Sequence, residues 1–208
     1  MRIALSALLF CLPVAAQGHE IWIERDGVGA ARIYLGEPGE PMPPGGDPEF
    51  AKLKAPHLLS HPNAVLVRRT GFLEAKVPPG DVRAWDDTVF APWGKDGQKE
   101  AVVYYARAGR AEAVAKLAFE LVPLTANGSR FALLRENTPV AGVEVTVFAP
   151  DRSKTVLKTD AAGMVDARPA ARGRYLLVAS KKEDGEATLP VGVVQTVYHI
   201  TTTSFVVR

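Results

Sequence analysis

The sequence predicts an all-β protein, and three features of the 208-residue chain indicate this class. Short runs of β-branched and aromatic residues alternate with polar ones, as in strands that bury one face. In the second half, turn residues separate these runs about every 8–12 positions, which is typical of a β-sandwich. A run dense in proline and glycine at 36–48 excludes helix and central strand there. We therefore expect two β-sandwich domains of immunoglobulin-like type.

The first 18 residues have the organisation of a secretory signal peptide. Arg2 supplies the positive start, and residues 3–14 form an apolar stretch that is too short for a membrane span. Ala15, Ala16 and Gly18 supply the small residues before a cleavage site. We therefore predict a cleaved segment at 1–18 and a periplasmic or secreted protein. Cleavage after Ala16 and cleavage after Gly18 both remain open.

The composition of the remaining chain limits its stabilising bonds and its partners. The only cysteine, Cys11, lies inside the predicted signal peptide, so the mature chain has no disulfide framework. Without Arg2 the chain carries 24 lysines and arginines against 23 aspartates and glutamates, and these charges are interspersed. We therefore expect no nucleic-acid partner. No later segment reaches the roughly 18 apolar residues of a membrane span, so we expect no membrane-spanning segment in the mature protein.

The first predicted domain covers residues 19–125 and consists mainly of strands. We predict strands at 19–24, 31–35, 64–68, 71–75, 102–107 and 117–122. The last two are expected to pair with each other as a meander. The proline-rich run at 36–48 is expected to be a surface connection without function, followed by a short helical stretch at 48–59.

The second predicted domain covers residues 126–208, after a turn-rich boundary at 123–129. We predict strands at 130–134, 143–148, 155–159 and 173–179, and one or two closing strands at 191–207. Residues 181–186 are read as a charged turn. The segments 137–147, 159–163 and 173–177 resemble the prealbumin-like or carboxypeptidase-regulatory-like sandwich. That resemblance implies a fold and says almost nothing about activity.

The whole mature chain is also similar to a family of exported bacterial proteins. The similarity rests on the sequences HEIWIE at 19–24, YLGE at 34–37, FELVP at 119–123 and YHITTTSF at 198–205. Members of this NikK-like family are described as periplasmic components of cobalt or nickel uptake systems. The resemblance implies a non-enzymatic protein that binds or delivers a divalent transition metal. Nickel or cobalt is the expected ion, copper or zinc is an alternative, and a membrane metal transporter is the candidate partner.

The candidate metal ligands are the four histidines, His19, His57, His61 and His199. Imidazole binds nickel, cobalt, copper and zinc, and the mature chain offers no thiolate. Cleavage after Gly18 would make His19 the first residue, whose amine and ring nitrogen can chelate one ion together. Cleavage after Ala16 would make His19 the third residue, an arrangement that suits square-planar copper(II) or nickel(II). The alternative is that His19 merely caps the first strand.

The other three histidines carry weaker signals. His57 and His61 are four residues apart and would share one face of a helix. Pro56 and Pro62 flank them, however, so two surface histidines on a loop is the competing interpretation. His199 lies in a predicted strand, where a single histidine is more often an ordinary sheet residue, and only the family resemblance makes it a candidate.

A second hypothesis is a structural or adhesive surface module that binds carbohydrate or protein. Trp22, Trp85 and Trp93 would supply a stacking surface, and residues 85–93 form an aromatic-rich loop. The carboxylate pairs at 86–87 and 183–184 are expected to be solvated in loops. No nucleophile elbow, phosphate loop, dinucleotide fingerprint or metalloprotease helix motif appears, so we expect no enzyme.

Overall fold

The computed structural model describes residues 18–59 and 61–208, and these form an all-β fold. The predicted signal peptide falls on residues 1–17 and Gly18, so all but its last residue lies outside the described part. One 3-10 turn, Phe50–Lys52, interrupts the strands. The strands are β1 (Glu20–Glu24), β2 (Ala31–Gly36), β3 (His57–Leu58), β4 (Leu66–Arg69), β5 (Phe72–Ala75), β6 (Val82–Asp86), β7 (Trp93–Lys95), β8 (Gln98–Ala108), β9 (Phe119–Pro123), β10 (Arg130–Arg135), β11 (Thr138–Pro139), β12 (Glu144–Phe148), β13 (Lys154–Lys158), β14 (Met164–Asp166), β15 (Gly173–Leu189) and β16 (Gly192–Val207).

The described strands form three sheets, of which the largest lies in the middle. The central sheet has eight strands in the order β13-β12-β15-β16-β8-β6-β3, with β7 paired to β8. One flanking sheet has the order β1-β2-β5-β4, and the other has the order β11-β10-β14 with β9 paired to β10. All pairs are antiparallel except β8 with β16, which run parallel from Glu100 opposite Thr196 to Ala108 opposite Ser204.

A hydrophobic core lies on each face of the central sheet. On one face, Val102 and Tyr104 of β8 belong to the same core as Ile21, Ile33 and Leu73 of the first flanking sheet. On the other face, the core contains strands β9 and β10, and the intervening β8 residues turn towards it. Successive side chains of a strand point to opposite faces, so the run of buried residues in β8 shows that both faces of this strand are covered.

A buried ionic network joins β6, β8 and β9. The fully buried Arg83 donates from Nε to Oε1 of Glu120 at 2.7 Å, and Arg107 donates from Nη1 to the same oxygen at 2.9 Å. Arg107 also donates from Nη2 to Oδ2 of Asp81 at 2.6 Å. Buried charges require partners of this kind, because removing them from water is costly. The network fixes β9 beside the central sheet without a backbone ladder between β8 and β9.

Several strand predictions need correction. The predicted meander is wrong, because β9 pairs with β10 while β8 pairs with β6, β7 and β16. The charged segment 181–186 is a continuation of β15 rather than a turn, since its backbone pairs with β16 as far as Leu189 opposite Gly192. The stretch 48–59, predicted to be a short helical stretch, contains only the 3-10 turn and β3. Strands β6 and β7 had no counterpart in the prediction.

The division into domains at 19–125 and 126–208 remains a prediction. Strand β9 precedes the proposed boundary and pairs with β10, which follows it. The central sheet likewise contains β8 from the first half beside β16 from the second. The two halves therefore share sheets in the folded protein.

Candidate functional site

His19 lies immediately before β1 and is partly exposed. Its ring atom Nε2 lies 3.1 Å from Oδ1 of Asp47, and its ring centroid lies 6.0 Å from that of Phe90. The side chain of His19 retains 26% exposure and that of Asp47 only 11%. A histidine at the edge of the fold is thus held by a largely buried carboxylate from the 36–48 loop.

The 36–48 loop positions Asp47 through close packing. Oδ1 of Asp47 also accepts a hydrogen bond from the backbone N–H of Glu49 at 2.7 Å, as in an Asx turn. Gly46, at φ +86°, packs so closely on Gly71 that a Cβ atom at Gly46 would lie 2.2 Å from the Gly71 Cα. The run that we expected to be a functionless surface connection therefore supplies the partner of His19.

The contact with Asp47 leaves one ring nitrogen of His19 available. When Nε2–H donates to Asp47, the neutral ring keeps its lone pair on Nδ1. Among the described residues Nδ1 has no hydrogen-bond partner. Nδ1 is also the nitrogen that can close a chelate ring with the residue's own backbone nitrogen. A carboxylate on the far ring nitrogen is the usual way in which proteins orient a metal-binding histidine.

A large cavity opens beside His19 on the same face of the central sheet. It has a volume of about 700 Å³, and aromatic side chains line much of it: Phe90, Trp93, Tyr104, Phe148 and Tyr198. Glu20 also lines the cavity, and burial, followed by repulsion from Glu37, raises its pKa to about 8. A nearby cation would favour the ionised form of this carboxyl group.

His57 and His61 do not share a helix. His57 is an exposed residue of β3 whose ring stacks on Trp85, with centroids 4.3 Å apart. The backbone N–H of His61 donates to the carbonyl of Leu58 at 3.3 Å in a turn. The arrangement agrees with the loop interpretation of this pair rather than with a shared helical face.

His199 is buried in β16 and already has partners on both ring nitrogens. Nδ1 lies 3.2 Å from the Tyr105 hydroxyl, and Nε2 lies 3.1 Å from Oε2 of Glu183 and 3.3 Å from Nη2 of Arg135. Burial, followed by the positive charge of Arg135, lowers the pKa of His199 to about 4. His199 is therefore neutral at pH 7 and is part of a side-chain network.

The four histidines do not converge. Tyr104 lines the cavity beside His19, whereas the next residue, Tyr105, contacts His199. Because adjacent strand residues point to opposite faces, His19 and His199 lie on opposite sides of the central sheet. Within residues 18–59 and 61–208, no three histidine, cysteine, aspartate or glutamate side chains are grouped as a metal site. A metal site at His19 therefore needs ligands that are not side chains, such as the terminal amine or backbone nitrogens.

The three tryptophans do not form one stacking surface. Trp22 is buried and stacks on Tyr34, with centroids 5.2 Å apart. Trp85 stacks on His57 and lines the same cavity as His199, on the opposite face of the central sheet from His19. Only Trp93, which stacks on Tyr198, borders the large aromatic cavity. A carbohydrate site built from all three is therefore excluded by this arrangement.

The carboxylate pair at 86–87 differs from its prediction. Both Asp86, the last residue of β6, and Asp87 are buried rather than solvated. Asp86 accepts hydrogen bonds from the backbone and hydroxyl of Thr88, at 2.8 and 2.7 Å. The pair at 183–184 lies on β15, where Glu183 contacts Arg135 and His199.

The sequence did not predict Asp47 as a site residue, although the sequence Asp47-Pro48 is a turn signal.

Comparisons with known proteins leave the chain without a family assignment. No model of a known protein family matches it, and no curated protein matches it significantly. No helix in the described part of the chain has the length and apolar character needed to cross a membrane.

Proposed function

We propose that this protein binds a divalent transition metal, nickel or cobalt, at its mature amino terminus outside the cytoplasm. The observation that carries the proposal is the contact of His19 Nε2 with Asp47 Oδ1 at 3.1 Å. It holds the ring while leaving Nδ1 open beside the chain terminus that signal-peptide cleavage would create. The protein would then present the ion to a membrane transporter of the cobalt or nickel uptake type.

Both cleavage alternatives support the same ligand atom. After a cut behind Gly18, the free amine of His19 and its Nδ1 would chelate the ion. After a cut behind Ala16, the amine, two backbone nitrogens and Nδ1 would surround it in a plane, as copper(II) and nickel(II) prefer. In either case Asp47 acts on the ring from the second coordination sphere, and the other three histidines are not required.

We also propose that the chain consists of two sandwich domains, at 19–125 and 126–208. The first would contribute the sheet β1-β2-β5-β4, the second would contribute most of the other flanking sheet, to which β9 of the first domain is added, and both would share the central sheet. The terminus with His19 lies over strands β8 and β16 on the face of the first core. Because protons compete with metal for the amine and the ring, affinity is expected to fall as the pH falls.

The proposal is tested by titrating nickel and cobalt into the exported, correctly processed protein in a calorimeter. We expect one ion per chain, and we expect His19→Ala to lower the affinity at least a hundredfold. His61→Ala is the matched control and should bind like the wild type. Equal binding by His19→Ala and wild type would remove the proposal.

The large aromatic cavity favours a second candidate, a module that binds carbohydrate. Trp93 is 40% exposed and stacks on Tyr198 at its wall, and its indole donates to Glu100 at 2.8 Å. Exposed aromatic faces beside carboxylates suit stacking on sugar rings combined with hydrogen bonds to their hydroxyl groups. Under this alternative, the wild-type protein binds a carbohydrate on a glycan array and Trp93→Ala abolishes that binding. The wild-type protein would then show no affinity for nickel. Trp85→Ala, on the other side of the sheet, is the control.

A further inference from the structure

A further cavity lies where β8 and β16 end and β15 begins. Its volume is about 520 Å³, within the range of small-molecule sites. Its lining includes Ala108 of β8, Arg174 of β15 and Val206 of β16. It shares no lining residue with the aromatic cavity beside His19, and the proposed metal site uses none of its residues. We call it the arginine cavity.

Arginine side chains dominate the charge of the arginine cavity. Within the described residues, Asp81 is the single acidic side chain in its lining, and Arg107 of the buried network donates to it at 2.6 Å. Arg174 is matched as well, because it pairs with Glu24 at 3.4 Å and with Asp26 at 2.5 Å. Three lining arginines remain without a carboxylate partner among the described residues: Arg25, Arg110 and Arg208. The cavity therefore carries an excess of positive charge.

Arg25 is a buried cation without a matching anion. Its side chain is only 8% exposed, and its guanidinium group donates to the backbone carbonyls of Gly29, Val77 and Gly80, each at 2.9 Å. The carbonyls satisfy its hydrogen bonds and hold it in place, but they do not neutralise its charge. A buried charge without a counter-charge is costly. An anion in the cavity would offset this cost.

Arg110 is placed to contact such an anion directly. Its guanidinium carbon lies 4.3 Å from the ring centroid of Phe205, and Nη1 donates to the carbonyl of Gly128 at 2.8 Å. Stacking on the ring fixes the guanidinium plane, and the remaining N–H donors lie in that plane without a partner among the described residues. Burial lowers the pKa of Arg110, in agreement with the lack of a nearby carboxylate. A planar guanidinium edge of this kind suits bidentate contact with a carboxylate.

Two exposed side chains complete the lining around Arg110. The backbone N–H of Asn127 donates to the carbonyl of Arg110 at 2.7 Å, which ties the two residues together. The side-chain amide of Asn127 has no hydrogen-bond partner among the described residues and offers a further donor. Nη2 of Arg208 lies beside Gly27, another residue of the lining. Donors therefore approach the cavity from several segments of the chain.

We propose that the arginine cavity binds a small organic polycarboxylate with two or three carboxylate groups. Arg110 and Asn127 would donate to one carboxylate, Arg208 would contact another, and Arg25 would contribute its charge from beneath. A single acetate or phosphate ion would fill only a small part of the cavity and could not reach all of these groups. The site is independent of the metal proposed at His19.

The test uses the mature wild-type protein, passed over a chelating resin to remove metal, because dissolved EDTA is itself a polycarboxylate. Calorimetry compares tricarballylate, acetate and inorganic phosphate. We expect tricarballylate to bind at least tenfold more tightly than either of the other two. Arg110→Gln should reduce tricarballylate affinity at least tenfold, because it removes a charged bidentate contact. Arg130→Gln changes an exposed arginine outside the lining and should have no effect.

A second pair of variants keeps the proposal testable if Arg110→Gln does not fold. Asn127→Asp adds a negative charge to the lining, and its backbone φ of +59° is one that aspartate also tolerates. Asn137→Asp is the matched control, since Asn137 is exposed at a φ of +65° and lies outside the lining. We expect Asn127→Asp to weaken tricarballylate at least fivefold and Asn137→Asp to leave it unchanged. Absence of tricarballylate binding, tighter binding of phosphate, or equal affinity in these two variants would each overturn the proposal.

Discussion

Nε2 of His19 lies 3.1 Å from Oδ1 of Asp47, a residue 28 positions later in the chain. The contact ties the residue before β1 to the proline-rich loop that precedes β3. It leaves Nδ1 as the ring nitrogen that has no hydrogen-bond partner among the described residues. A histidine that the proposed cleavage would place at or near the amino terminus is thereby oriented before any ligand arrives.

The contribution of that orientation can be measured directly with Asp47→Asn. The amide keeps the shape of the side chain but removes the charge that favours Nε2–H. We expect nickel affinity to fall about 10–100-fold, as for other partners of metal-bound histidines. Calorimetry on the processed protein measures the change. Glu40→Gln, an exposed carboxylate in the same loop, is the control. Unchanged affinity in Asp47→Asn would show that the contact has no part in binding.

The packing of the loop gives a prediction with a closely matched control. Gly46→Ala would place a Cβ atom 2.2 Å from the Cα of Gly71, at a backbone φ of +86° that disfavours side chains. We expect a loss of about 1–3 kcal/mol or more in the free energy of unfolding, with weaker nickel binding because Asp47 shifts. Gly45→Ala has nothing within 4 Å and should change neither quantity. Urea denaturation and calorimetry compare the two variants; equal behaviour would contradict this account of the loop.

The buried ionic network predicts a large stability effect for Glu120→Gln. Glu120 receives hydrogen bonds from Arg83, Arg107 and two backbone N–H groups, and both arginines are fully buried. Removing the negative charge leaves two buried guanidinium groups short of a partner. We expect about 3–5 kcal/mol less unfolding free energy in urea denaturation. Glu136→Gln, whose pair with Arg135 is exposed, should cost less than about 0.5 kcal/mol. Similar losses in both variants would contradict the assignment.

The lowered pKa of His199 leads to a prediction of how the free energy of unfolding depends on pH. Its folded pKa is lowered to about 4 by burial and by Arg135, whereas an unfolded histidine titrates near its ordinary value of 6.5. Between these values the unfolded chain binds more protons than the folded one, so acid favours unfolding. The contribution is present above about pH 6.5 and is lost as the pH falls towards 4. From pH 7 to pH 5 we expect a loss of about 2 kcal/mol from this residue.

The variant His199→Gln removes the titration but keeps a hydrogen-bonding side chain. Urea midpoints at pH 7 and pH 5 should therefore differ less in this variant than in wild type. His61→Gln, which alters a turn residue, is expected to keep the wild-type difference. If His199→Gln loses as much stability on acidification as wild type, another group is responsible for the pH dependence.

Strands with one solvent-exposed face could be predicted from the sequence, whereas the pairing of the central strands could not. Alternation correctly located β1, β2 and β5, in which the inward residues Ile21, Ile33 and Leu73 are each followed two positions later by another buried apolar residue. The charged end of β15 resembled a turn, because nothing local indicates that β16 pairs with it. Arg83 and Arg107 were not recognised as core residues, since their burial depends on Glu120 from a distant strand.

The candidate site was predictable only in part, for a related reason. His19 was identified from its place next to the predicted cleavage site. Asp47 was not, because the contact joins residues 28 positions apart through a loop whose composition indicated only irregular structure. The burial of Asp87 also depends on tertiary packing, and its sequence neighbours resemble a solvated loop. Predicting either residue requires knowledge of which segments meet in space.

The central claim is tested most directly by blocking the mature amino terminus while keeping His19 intact. The processed protein is compared with the same protein acetylated on its terminal amine, and nickel binding is measured by calorimetry. Mass spectrometry of both proteins establishes whether the natural cut follows Ala16 or Gly18. We predict that acetylation lowers nickel affinity at least a hundredfold for either cut, because the terminal nitrogen no longer has a basic lone pair with which to chelate the ion beside Nδ1. Equal nickel affinity in the two proteins would contradict the account.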